Sequence, residues 1–188
     1  LRYEEIVTIV HQMARLGVRK LRITGGEPLI RKNLVSLIAQ LVQVPGIEEV
    51  ALSTNGMLLE RDAEALKAAG LSRVNISLDT LDAAKFSHVT RLGSLETVLR
   101  GIHAAQRVGL HPVKLNCVLL RGINDDEIDR FALLTMTQLL HVRFIELMPL
   151  GNPEFFHPGR FLPVAAAKEK CEVWGELIPA DDLAGSGP

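Results

Sequence analysis

With 188 residues, 47% of them hydrophobic and 23% charged, the chain has the composition of one globular domain able to bury a substantial core, which excludes a disordered tail and a fibrous protein. Its 21 basic and 22 acidic residues leave a formal net charge of -1, so no overall field holds it on nucleic acid or a membrane surface, and an anionic ligand must be met by local charges. No apolar run approaches the roughly 20 residues of a spanning helix and no basic-then-apolar leader precedes the first helical stretch, so the expected location is cytoplasmic.

In chain order, Ile6, Ile9, Val10 and Met13 recur at helical spacing and mark the inner face of a first helix. Residues 21–24 form a short extended run that passes through two glycines and an acid into a second helix near Asn33, whose apolar face carries Leu34, Leu37, Ile38 and Leu41. Further strands are predicted over 50–53, 74–78, 113–119 and 142–145, and another helix face at Leu95, Val98, Leu99 and Ile102. Glycine followed by an apolar residue recurs where a helix gives way to a strand, at Gly17-Val18, Gly46-Ile47, Gly70-Leu71 and Gly109-Leu110, as a left-handed helix stop requires. Asn124 with Glu127 three residues later has the spacing of a capping box.

Strand and helix therefore alternate, which implies a parallel sheet with helices outside it, either open and doubly wound or a closed or partly closed barrel. Strands covered on both faces read as almost continuously apolar, and these do not. Period-two spacing puts Lys20, Arg22 and Thr24 on one face of the first strand, Ser53 and Asn55 on one face of the second, and Asn75, Ser77 and Asp79 on one face of the third. Lys114 and Asn116 share a face of the fourth, Glu146 and Met148 a face of the fifth, while Leu21, Ile23, Val74, Ile76, Leu115 and Ile145 are left to pack on helices. Polar groups clustered toward the carboxyl ends of strands favour a barrel whose interior receives a ligand.

Cys117 and Cys171 stand far apart with no Cys-x-x-Cys partner, so neither a disulfide framework nor a metal site follows, and both read as buried thiols. His88, His103 and His111 have no partner at ligand spacing, and no catalytic or metal residue is proposed from the chain. The chain starts at Leu1 and stops in Gly185-Ser186-Gly187-Pro188, and both ends read as cuts.

The most informative stretch runs from Leu21 to Pro28, a strand that enters Gly25-Gly26-Glu27-Pro28; paired glycines let a ligand approach the backbone closely. That motif resembles the one by which radical S-adenosylmethionine (SAM) enzymes hold the amino group of SAM. With Ser53-Thr54-Asn55-Gly56, Asn75-Ile76-Ser77-Leu78-Asp79, Val113-Lys114-Leu115-Asn116, Arg121-Gly122-Ile123-Asn124-Asp125 and Arg143 to Pro149 following in order, the chain resembles the GTP 3′,8-cyclase family of molybdenum-cofactor biosynthesis from about Leu1 to Asn152.

The resemblance implies a partial (β/α) TIM-type barrel lacking its first strand over 1–150, and the start of an incomplete C-terminal region over 151–188. It implies that Gly26, Ser77 and Met148 contact SAM and that Arg22, Ser53 and Lys114 contact GTP, with Lys20 and Arg143 as further cations for the triphosphate. Ser53 stands where the family usually has threonine and keeps the hydroxyl. Family members also carry two 4Fe-4S clusters on cysteine thiolates; those ligands are absent from this sequence, so the chain alone is expected to be inactive. The expected partner is GTP as a small molecule, with no nucleic acid and no membrane, and a homodimer is kept as an expectation. A peptide-modifying radical SAM enzyme and a non-catalytic nucleotide-binding barrel are the alternative readings.

Overall fold

The structure, a computed structural model, describes residues 1–148 and 158–179. Pro149, Asn152 and the Gly185-Ser186-Gly187-Pro188 end lie outside the described residues, as does much of the 151–188 region. In chain order the elements are α1 (Tyr3–Arg15), β1 (Lys20–Ile23), α2 (Leu34–Val42), β2 (Glu49–Thr54), α3 (Leu59–Ala68), β3 (Arg73–Ser77), α4 (Ala83–Thr90), α5 (Leu95–Arg107), β4 (Val113–Leu119), α6 (Ile128–Thr137), β5 (Leu140–Glu146) and α7 (Val164–Glu172). The alternation read from the sequence is borne out. The four junction glycines, Gly17, Gly46, Gly70 and Gly109, all take φ between 77 and 96°, a region closed to most other residues.

Two compact units divide the chain, one of residues 1–77 and 96–113, the other of residues 78–95 and 114–188. In the first, β1, β2 and β3 lie parallel with Arg22 beside Ala51, Ala51 beside Arg73, and Ser53 beside Asn75. One face is built from Val50, Leu52, Val74 and Ile76, each essentially buried, together with Ile38 and Leu41 of α2, Leu59 and Leu66 of α3 and Val98 and Ile102 of α5. Each such side chain contributes about 1.5–3 kcal/mol by leaving water, and this burial fixes which face of the strands is polar. Two glycines let α5 settle there: a Cβ on Gly101 would stand 2.7 Å from the carbonyl oxygen of Gly56, which itself has a φ of 79°.

In the second unit β4 and β5 are hydrogen-bonded neighbours. Leu119, Ile128, Leu162 and Ala167 form an apolar cluster with Phe144 and Cys171 packed against it. Phe131 meets Phe144 edge to face, with ring centroids 6.1 Å apart, the geometry that aligns a positive ring edge with a negative face.

Two sequence expectations are corrected here. Asn124 does not cap a helix in a box with Glu127: its carboxamide accepts from Leu120 N (2.8 Å) and donates to the carbonyls of Asp79 (2.7 Å) and Val118 (2.8 Å). The helix starts only at Ile128, with Glu127 itself at the cap position. The second correction is the frame of β5. Phe144, not Ile145, packs on the apolar cluster, so Arg143 faces the other way, while Glu146 has the parity of Phe144 and accepts from Val164 N (2.9 Å) at the start of α7. A strand read one residue out of phase exchanges its two faces.

Candidate active site

In the first unit the site starts from Glu27. One carboxylate oxygen accepts from Leu29 N (3.0 Å) and Thr54 Oγ1 (2.8 Å), the other from Asn55 N (2.7 Å), which ties the turn after β1 to the end of β2. Gly25 and Gly26 are thereby held exposed, and a Cβ on either would meet nothing within 4 Å, so a ligand has room to reach their backbone. Beside β1 a cavity of about 420 Å³ is lined by Arg22, Gly25, Gly26 and Glu27 along with apolar residues such as Ile6 and Leu34.

Arg22 lies exposed on the polar face with Lys20. Its neighbour in register is the small Ala51. Ser53 is half-buried beside Asn75, whose amide nitrogen donates to Ser53 Oγ at 3.4 Å, and Ser77 is exposed at the end of β3. Beneath them is a pair that the sequence reading did not single out. Arg73, 4% exposed, donates from Nε to Glu49 Oε1 (3.0 Å) and from Nη1 to Asn75 Oδ1 (3.0 Å), and its Nη2 lies 2.8 Å from Glu49 Oε1. Strand parity could have found both, since Arg73 stands two residues before Asn75, and Glu49 has the parity of Ser53.

In the second unit Lys114 is buried on β4, and Asn116 on the same face accepts from Arg143 Nε (2.9 Å). His141, which the sequence reading passed over, shares the face of Arg143. Burial first, then the positive charges of Lys114 and Arg143, hold its imidazole below its ordinary range, so the neutral ring is favoured there. Two cations of different geometry beside a neutral ring suit an oxyanion. Near the end of β3, Asp79 accepts from Val118 N (2.8 Å), yet burial pushes its carboxyl up. Met148 follows β5 and is 62% exposed.

The first unit thus brings Arg22, Ser53, Gly26 and Ser77 to one sheet face and its carboxyl end, and the second sets Lys114 beside Asn116 and Arg143. The exposed Gly25-Gly26 backbone, open on its outer side, fits the amino-acid end of a nucleoside cofactor such as SAM. An iron-sulfur cluster does not fit: among the described residues no three His, Cys, Asp or Glu side chains converge as a metal site. Cys117 is buried with its thiol donating to the Asp79 carbonyl (3.6 Å), and burial with the Asp79 and Glu127 charges pushes it far above the usual thiol range.

Among the described residues no helix is long and apolar enough to cross a membrane. The chain is 50% identical, along its whole length, to a protein named GTP 3',8-cyclase from Pelotomaculum thermopropionicum, and 49% identical to one of the same name from Heliobacterium modesticaldum; it spans 58% of each of these relatives. A radical SAM methyltransferase from Sphaerobacter thermophilus, 20% identical, superposes on 92% of the chain and 54% of its own with a TM-score of 0.69. That likeness shows the fold: α/β, with the parallel strands and outer helices of a partial barrel. The model of the radical SAM superfamily matches residues 1–135, well over half of the sequence and all of the first unit, and the chain belongs to that superfamily.

Proposed function

We propose that this chain is the barrel body, residues 1–150, of a GTP 3′,8-cyclase, the cytoplasmic radical SAM lyase that converts GTP to 3′,8-cyclo-7,8-dihydro-GTP for molybdenum-cofactor biosynthesis. The observation that carries this is the 50% identity, over every residue of the chain, with a relative of that name. Residues 151–188 would begin the C-terminal region, and the 188-residue chain alone is expected not to cyclise GTP, because it contains only two cysteines and a cluster needs at least three thiolates.

SAM, when bound and given one electron by a reduced iron-sulfur cluster held on thiolates outside this chain, would supply the abstraction of a hydrogen atom from the ribose. Gly26 would meet it with backbone, Ser77 with a hydroxyl and Met148 with an apolar thioether. Arg22 and Ser53 in the first unit and Lys114 in the second would bind GTP. Arginine offers a planar fork to phosphate oxygens and lysine a point charge, so local cations supply what a net charge of -1 does not.

GTP affinity of the full-length protein tests this assignment. Arg22→Ala and Lys114→Ala are each expected to weaken GTP binding by roughly 10- to 100-fold, the value of a charge-assisted hydrogen bond, with the fold retained by circular dichroism. Unchanged affinity in both would contradict it, and tight binding of a peptide in place of GTP would point to a peptide-modifying relative.

A further inference from the structure

We infer that Glu49, Arg73 and Asn75 form a positioning relay whose purpose is to turn the Ser53 hydroxyl into a hydrogen-bond donor aimed at the nucleotide; this rests on Ser53 contacting GTP. A hydroxyl has one proton and two acceptor sites, so what its protein neighbour does decides what it offers a ligand. Asn75 could present either its oxygen or its amide nitrogen to Ser53. The choice is made one layer down.

Arg73 has only donors, so the Asn75 atom 3.0 Å from its Nη1 must be the carboxamide oxygen. The amide nitrogen is then the atom left facing Ser53 Oγ, at 3.4 Å. Arg73 cannot swing away, because Glu49 takes both Nε (3.0 Å) and Nη2 (2.8 Å) of its guanidinium, and the arginine is 4% and Asn75 1% exposed. With Asn75 filling an acceptor site, the Ser53 proton is directed outward, and Ser53, half-buried, selects an acceptor atom on its ligand: a phosphate, ribose or base oxygen or an unprotonated ring nitrogen. The register supports the layering, since Ser53 pairs with Asn75 while the small Ala51 separates Arg73 from Arg22. An ordinary structural ion pair needs Glu49 and Arg73 alone. The third member, whose orientation the pair dictates, is what points to function.

Asn75→Asp tests the relay, because aspartate keeps the shape and the bond to Arg73 but accepts from Ser53, drawing its proton away from the ligand. In the full-length protein, Ser53→Ala and Asn75→Asp are each expected to weaken GTP binding about tenfold, and the double variant no further, the non-additivity of one shared contact. Should Asn75→Asp fail to fold, Asn75→Leu is expected to give a loss of about threefold that likewise disappears in the Ser53→Ala background. A clear loss from Ser53→Ala with additive losses at position 75, or none, overturns the relay while leaving GTP as ligand. Unchanged GTP affinity in Ser53→Ala overturns the Ser53 contact itself, and the relay with it.

Discussion

Glu27 and Glu127 solve the same local problem. Each carboxylate takes the hydroxyl of a threonine at or just past the end of a strand and the backbone N–H of the next residue: Thr54 and Asn55 for Glu27, Thr80 and Leu81 for Glu127. Glu127 is 2% exposed and is further neutralised by Lys85 (3.1 Å) and Arg130 (3.5 Å). Glu27 accepts from three neutral donors instead, so its value is in the turn it fixes. Glu27→Gln, which offers one acceptor oxygen in place of two and sets an N–H group against a donor, is expected to lower unfolding free energy by about 2 kcal/mol and to weaken SAM binding, read by urea denaturation and calorimetry. Unchanged values in both would contradict this role. At this scale the Gly25-Gly26-Glu27-Pro28 turn was legible because its motif is contiguous. Arg73 and Glu49 were not, since their partnership spans 24 residues and exists only once β2 and β3 are in register.

Among the elements, the period-two pattern placed β1 to β4 and the polar face of each, but β5 was read one residue out of phase. Its sequence, Leu-His-Val-Arg-Phe-Ile-Glu, offers apolar candidates on both sides, and only tertiary contacts, with Phe131 of the preceding helix and with the cluster of Leu119, Ile128, Leu162 and Ala167, decide that Phe144 is the inner residue. Likewise Asn124 has the spacing of a cap, yet the backbone groups of Leu120, Val118 and the sequence-distant Asp79 outcompete the helix for its side chain. The packing of α5 gives a sharp test. Gly101→Ala should gain about 1 kcal/mol of helix propensity, but the new Cβ lies 2.7 Å from a backbone oxygen that no rotamer change can move. Overpacking of about 1–3 kcal/mol opposes the gain, so the gain is cancelled or turned into a net loss of up to about 2 kcal/mol in denaturant unfolding. A stabilised variant would show that α5 and the Gly56 turn move apart freely.

For the molecule as a whole, the near-neutral charge leaves an anionic ligand to be met by local cations. In the proposed assignment Arg22 on β1 and Lys114 on β4 would supply those cations. The cluster chemistry of the superfamily, by contrast, was never legible in these residues, because a sequence with two distant cysteines has no thiolate set to read. The most direct measurement is mass spectrometry of the nucleotide after the cluster-loaded, full-length protein has been incubated without oxygen with GTP, SAM and a reductant. The expected product is 3′,8-cyclo-7,8-dihydro-GTP, lost in Arg22→Ala. Consumption of SAM with GTP left unaltered would contradict it.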